Sequence, residues 1–143
     1  MLGRKTYTQE ELDHATAAVD LQLAAHRRLT GAVADAKGRD ADSALEDFDS
    51  LFFNNMTLVL DRHFVHRLRA VTGKDGNPLN EVELICESLL NHDGIFRGNK
   101  VIKYVPEESV VGLRPGDPIR LTADEFDRLS AAFFADLERK FVA

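Results

Sequence analysis

The sequence is poor in the residues that mark disulfide-bonded, metal-rich and membrane proteins. It has one cysteine, Cys86, no tryptophan and four prolines among 143 residues. A single cysteine excludes an internal disulfide and a cysteine-rich metal cluster. The first residues contain no apolar run of the kind that a signal peptide needs, and no stretch approaches the roughly 20 apolar residues of a membrane span. We therefore expect a cytoplasmic protein that does not enter membranes.

Basic charge is also scarce. The 18 lysines and arginines are outnumbered by 24 aspartates and glutamates, which gives a formal net charge of -6. Proteins that bind nucleic acids usually carry a basic footprint, so we expect no nucleic-acid partner. The hydrophobic fraction of 44% is ordinary for a globular protein. The length predicts a single domain over residues 1–143, with residues 1–7 as a frayed tail.

Short catalytic and phosphate-binding signatures are absent as well. No HExxH, GxSxG, GxGxxG or EF-hand pattern occurs. A phosphate loop ending at Gly73-Lys74 would need glycine and serine or threonine where the chain has Leu68 and Asp75. We interpret Cys86 as a small buried hydrophobe, because a nucleophilic thiolate would need a histidine and an anion-binding edge nearby.

Helical periodicity is the strongest signal that is present. It predicts helices over 9–35, 43–70, 80–91 and 123–141. Thr8 with Glu11, and Thr122 with Glu125, have the spacing of a capping box at the start of the first and last helices. The predicted buried face of the last helix consists of Phe126, Leu129, Phe133, Leu137 and Phe141. Four amphipathic helices of this kind most simply pack against each other as a bundle.

The segment from 95 to 121 is rich in β-branched residues and turn formers. Gly98-Asn99 suits a short hairpin between 95–96 and 101–102. The alternative is an irregular coil with one helical turn at 106–111. Pro115-Gly116 has the residues that a type II turn needs. The predicted fold class is therefore mainly α, a four-helix-bundle-like single domain with an irregular or short β-hairpin excursion at about 95–121.

The second predicted helix changes character along its inner stripe. Its first half is apolar, and its second half continues the same spacing with basic groups and imidazoles. The residues of this polar end are Arg62, His63, His66 and Arg69. We expect them either to bind a small anionic ligand or to pair internally with carboxylates such as Glu83, Asp20 or Asp49, because an unpaired buried charge is expensive.

The same stretch also suggests a metal site. Two histidines three residues apart project from one face of a helix and could bind a metal ion with groups from facing helices. The candidate ligands are His63, His66, His26, Glu83 and Glu87, with Asp61 as a further acid. The Glu-x-x-His string of two-metal bundles is missing. The competing interpretation places one histidine against the core and the other in solvent.

Phenylalanines exceed what one buried face of the second and last helices can hold. Phe53 and Phe134 are therefore expected to cover a partner subunit, which predicts a homodimer. Our first functional hypothesis is a helical protein that acts without catalysis, by self-association or by binding a protein partner. The second is a small metal- or anion-dependent ligand-binding protein or enzyme that uses Arg62, His63, His66 and Arg69.

Overall fold

A computed structural model describes residues 3–36 and 38–143 of the chain. This part contains helices from every region that the periodicity indicated, and no β-sheet. The helices are α1 (Gln9–Ala36), α2 (Arg39–Arg62), α3 (Arg69–Thr72), α4 (Pro78–Asn91) and α5 (Ala123–Phe141). α2, α4 and α5 pack against one another, while α1 lies along α2 and α5. The fold is mainly α, with the bundle-like packing that the sequence predicted.

Side-chain caps fix where several helices begin. Thr8 and Glu11 exchange hydrogen bonds with each other's backbone N–H at 3.1 and 2.8 Å, which starts α1 as predicted. Thr122 and Glu125 form the same capping box at α5. At α4, Asn77 accepts the Asn80 N–H at 3.0 Å, so this helix begins at 78 instead of 80. α2 begins at 39 instead of 43, directly after Gly38.

The core lies between α5 and the inner faces of α1, α2 and α4. The five residues predicted for the buried face of α5 are all buried. Phe53 is 1% exposed and packs against His26 and Phe126, so its predicted place in a subunit interface is wrong. The α2 helix turns Phe53 toward α5. Phe134 is half-buried against Phe64 and Phe133.

α2 ends at Arg62, and the prediction of a helix continuing to 70 is wrong. The chain turns between 63 and 68, and His66 adopts a positive φ of 65°. The Tyr7 hydroxyl donates to the carbonyl oxygens of Phe64 and Val65, both at 3.1 Å. Arg4 exchanges backbone hydrogen bonds with residues 66 and 68. These contacts take backbone groups that a continuing helix would need for itself.

The N-terminal segment that forms these bonds is docked, at least from residue 3 onward. Tyr7 is 3% exposed, and its ring contacts Phe64 and Phe141. A side chain at Gly3 would stand 2.5 Å from the Cα atom of Leu68, so glycine permits this close approach. The expectation of a frayed tail over 1–7 is therefore wrong for 3–7, while residues 1–2 lie outside the described residues.

The segment from 95 to 121 is irregular, and the predicted hairpin at 95–102 does not form. The Asn99 side chain accepts the N–H groups of Val101 and Ile102 at 3.0 and 2.8 Å. This local turn removes both groups from any strand pairing. The helical turn that was the alternative is present as a short 3-10 helix over Pro106–Glu108. Ile95 instead pairs with Pro118 in an isolated bridge.

Two further contacts hold the segment against the bundle. The Asp117 N–H donates to the Arg114 carbonyl at 2.9 Å around Gly116, whose φ is 98°, which is the predicted turn. The buried Glu81 carboxylate of α4 accepts the N–H groups of Val110 and Val111 at 2.9 and 3.0 Å. The segment therefore covers one side of α4 through its backbone as well as its apolar side chains.

Candidate functional site

The break after α2 separates the four residues predicted to bind a ligand. Arg62 and His63 stay together at the end of α2 and line one groove. His66 lies in the turn and is exposed. Arg69 belongs to α3, where its guanidinium donates to Glu83 at 2.5 Å and to Asn80 at 2.8 Å. The internal pairing considered for the arginines therefore holds for Arg69.

The predicted metal ligands are distributed over different parts of the fold. The His26 ring is buried, with Nε2 2.6 Å from Asp49 Oδ1 and the ring stacked on Phe52. Glu83 is held by Arg69, and Glu87 lies 3.4 Å from the Asn99 amide. Throughout 3–36 and 38–143, no three His, Cys, Asp or Glu side chains are arranged to hold a metal ion. His63 and His66 do not lie on a helix, so their spacing of three residues does not place the two rings on one helical face.

Cys86 is buried on the inner face of α4, as the sequence suggested. Its Sγ lies 3.5 Å from the Thr57 carbonyl oxygen, to which the thiol donates. Burial raises the pKa of the thiol far above its ordinary value. The thiol therefore stays protonated at neutral pH and is a poor nucleophile.

Exposed apolar side chains form a stripe along the outer side of α1 and another along α2, and we call the two stripes together the hairpin face. Its large side chains are exposed: Leu21 by 73%, Leu29 by 44%, Phe48 by 44% and Leu51 by 71%. Small residues lie between them at steps of three or four residues, which keeps the members of each stripe on one side of their helix. The hairpin face consists of Ala18, Leu21, Ala25, Leu29 and Ala32 from α1 and Ala41, Ala44, Phe48 and Leu51 from α2.

The two stripes lie on the same side of the helix pair. A shallow groove of about 280 Å³ between the helices is lined by Leu29 from α1 and by Ala44 and Phe48 from α2. Within 27–36 and 38–52, none of the residues is buried. The outer half of the helix pair thus has an apolar surface that the described part of the chain leaves uncovered.

A second concave surface, the terminal groove, lies where α2 ends. Its volume is about 460 Å³. Its apolar wall consists of Leu58, Val59 and Val65 together with Leu90, which is 69% exposed on α4. Asp61, Arg62 and His63 form the polar part of the lining.

The charges at the terminal groove are unequally satisfied. Asp61 Oδ1 accepts a hydrogen bond from Arg67 Nη2 at 2.9 Å, and the Arg67 side chain is only 5% exposed. No carboxylate of the described residues lies within ion-pairing distance of Arg62. Burial lowers the pKa of His63, and so does His14, whose ring centre lies 6.2 Å away. Arg62 therefore presents an uncompensated positive charge beside a neutral imidazole at pH 7.

Two large residues of these surfaces, Leu51 and Leu90, were not among the predicted site residues. Leu51 lies outside the inner stripe of α2 from which the site was predicted. The spacing Ala44, Phe48, Leu51, Asn55, Leu58 is a visible second stripe that could have identified it. Leu90 had no such signal, since only the packing of α4 beside α2 places it in the terminal groove.

None of the helices in 3–36 and 38–143 is long and apolar enough to cross a membrane. Comparisons with protein-family models, with curated proteins and with solved structures find no match for this chain.

Proposed function

We propose that this protein acts by self-association, as a homodimer whose two copies pack through their hairpin faces. The observation that carries this proposal is the uncovered apolar stripe shared by α1 and α2. Soluble helical proteins rarely leave a contiguous apolar surface facing water, and such surfaces usually mark interfaces. A second copy supplies an identical two-helix face, and the two pairs together complete a four-helix bundle. Localisation in the cytoplasm remains part of the proposal.

Side-chain size supports a second copy as the occupant. Each stripe combines small and large residues: α1 has Leu21 and Leu29 between alanines, and α2 has Phe48 and Leu51 after Ala41 and Ala44. Large residues pack best into the gaps between small ones on a facing helix. α2 of one copy therefore fits over α1 of the other.

The charges at the edges of the hairpin face support the same arrangement. Arg28 is exposed seven residues after Leu21, on the edge of the α1 stripe. Asp47 is exposed four residues before Leu51, on the edge of the α2 stripe, and its contact with Arg120 is long at 3.8 Å. The bond from His26 to Asp49 fixes how far α1 and α2 are shifted along their axes relative to each other. Arg28 and Asp47, each two residues from this bond, therefore lie at the same position along the helix pair. A two-fold axis along the helix pair brings each Arg28 beside Asp47 of the other copy.

The test is analytical ultracentrifugation at micromolar concentration. We expect the wild type to sediment with twice the chain mass of 16.0 kDa. Leu51→Glu should give a monomer, since it places a charge in the apolar interface. Leu90→Glu is the matched control, because Leu90 is equally exposed but lies off the hairpin face. A wild-type monomer at every concentration, or equal dissociation by both changes, would contradict the proposal.

The orientation has its own test. Arg28→Asp and Asp47→Arg should each weaken the dimer, and the double reversal should restore it, because the pair then attracts again. A stable dimer in which the double reversal restores nothing would reject the orientation but retain the dimer. If the protein is monomeric, the hairpin face would instead bind a different protein that offers an apolar helix.

A further inference from the structure

We propose that the terminal groove binds a free small molecule with an anionic head and an apolar tail, such as a medium-chain monocarboxylate. This inference is independent of the dimer, because the terminal groove contains none of the residues that define the hairpin face. It rests on the shape of the groove, its apolar wall and the uncompensated charge at one end.

The shape and the wall are those of a ligand site. A volume of about 460 Å³ falls within the roughly 300–1,000 Å³ range of pockets for small organic molecules. Leu58, Val59 and Val65 are half-buried at the wall, and Leu90 is largely exposed at its margin. An apolar tail lying on this wall would remove Leu90 and its neighbours from water, which is favourable in proportion to the area covered.

The charge selects the head group. The acid in the lining, Asp61, is already neutralised by Arg67 at 2.9 Å, whereas Arg62 has no carboxylate within reach in the described chain. A guanidinium offers two parallel N–H donors to the two oxygens of a carboxylate. The neighbouring His63 ring can donate one further N–H. A cationic head would meet Arg62 with like charge, so the groove discriminates against it.

The experiment uses the methyl NMR spectrum of the wild-type protein. It is titrated separately with decanoate, decan-1-ol and decyltrimethylammonium, which share the tail and differ in the head. We expect decanoate to shift the methyl signals of Leu58, Val65 and Leu90 at the lowest concentration. Decanol should bind about tenfold more weakly or worse, as expected for the loss of a charge-assisted hydrogen bond, and the cation more weakly still.

Variants separate the head from the tail. Arg62→Gln should reduce decanoate affinity by about tenfold or more and leave decanol binding unchanged. The Arg62 side chain makes no hydrogen bond to the described chain, so this variant should keep the wild-type amide spectrum. Arg97→Gln is the control, since Arg97 is an exposed arginine that does not line the groove. Equal binding of all three compounds, equal effects of both variants, or shifts confined to Leu21 and Leu51 would overturn the proposal.

Discussion

Single residues decide how the irregular segment and the N-terminal segment stay in place. Glu81 is 1% exposed and accepts two backbone N–H groups from Val110 and Val111. Arg4 makes two hydrogen bonds to Glu11 on the surface, at 2.8 and 3.0 Å. Both acids bind backbone or side-chain donors, yet their pKa values shift in opposite directions because one is buried and the other is in water.

Glu81→Gln should lower the free energy of unfolding by about 1–3 kcal/mol. Both oxygens of a carboxyl group can accept an N–H, in the charged and in the protonated form, whereas the amide of glutamine has one accepting oxygen and would leave a buried donor unpaired. Urea unfolding followed by circular dichroism measures the change. Glu87→Gln is the control on the same helix, because Glu87 is only half-buried. Equal losses of stability from both substitutions would show that the bonds from Val110 and Val111 to Glu81 do not contribute to the free energy of unfolding.

The same variant has a predicted pH dependence. Burial raises the pKa of Glu81 above its ordinary 4.5, and the bonds from Val110 and Val111 counteract this only in part. The native state then holds the proton more tightly than the unfolded chain, so this contribution is present below pH 4.5 and is lost as the pH rises through the raised value. The stability gap between wild type and Glu81→Gln should therefore narrow as the pH increases above 4.5. A gap that widens over this range would contradict the prediction.

Glu11 should behave in the opposite way. The hydrogen bond from Arg4, with a further bond from the Thr8 backbone, lowers the pKa of Glu11 to about 2. A lowered native pKa contributes stability above pH 4.5 that is lost as the pH falls through about 2. Wild type should therefore be more stable than Glu11→Gln at pH 6, and the difference should vanish in strong acid. Glu10→Gln, at an exposed position one residue earlier, is the control, because Arg4 donates to Glu11 and not to Glu10.

Among the helices, α2 ends where the sequence has no helix-breaking residue: it stops at Arg62 without a glycine or proline. The apolar period of the sequence continues through His63 and His66, but the N-terminal segment competes for the same backbone groups. Tyr7 takes the carbonyls of Phe64 and Val65, and Phe64 enters the core at 1% exposure. A helix extended by local propensity would gain less than these tertiary contacts provide.

The break can be tested by asking which of two variants, His66→Gly or His66→Ala, has the larger free energy of unfolding. His66 has a φ of 65°, in the left-handed region where a Cβ atom costs roughly 1–2 kcal/mol. The glycine variant should therefore be more stable than the alanine variant by about 1–2 kcal/mol. Inside a helix the order would be reversed, by about 1 kcal/mol. Thermal unfolding of the two proteins side by side distinguishes the cases.

For the whole molecule, only one of the two phenylalanines expected at a subunit interface is excluded from it, because Phe134 is half-buried and its predicted role is untested. Phe53 is core, and the exposed apolar side chains on the outer surface of α2 are Phe48 and Leu51. Because α2 carries one apolar stripe inward and another outward, the helix joins the core to the proposed dimer interface. Mutations on the inner side of α2 should therefore change the folding equilibrium, and mutations on its outer side should change the monomer–dimer equilibrium.

Phe53→Ala should lower the free energy of unfolding by about 3–5 kcal/mol at every protein concentration, since it leaves a cavity in the core. Leu51→Ala should reduce the melting temperature only at concentrations where dimers form, because subunit binding stabilises the native state by mass action. Melting curves over a hundredfold range of concentration check both. A concentration-independent loss for Leu51→Ala would place Leu51 in intramolecular packing.

The sequence by itself determined the helices and their inner faces. The capping boxes at Thr8 and Thr122 and the period of α5 depend on neighbours within a few residues, so they can be read locally. The basic groups at the end of α2 were also visible from the sequence. Their positions relative to one another could not be predicted from the sequence. The prediction assumed that one helix carries all of them, and that helix stops at Arg62.

Tertiary structure decided the remaining features. The docking of Tyr7 ends α2, the Arg69–Glu83 pair removes Arg69 from the candidate site, and the placement of α4 brings Leu90 to Arg62 and His63. Each of these contacts joins residues that are distant in sequence or that lie on different helices. Local propensities of a few tenths of a kcal/mol per residue are smaller than the burial and hydrogen-bonding energies of such contacts, which therefore override them.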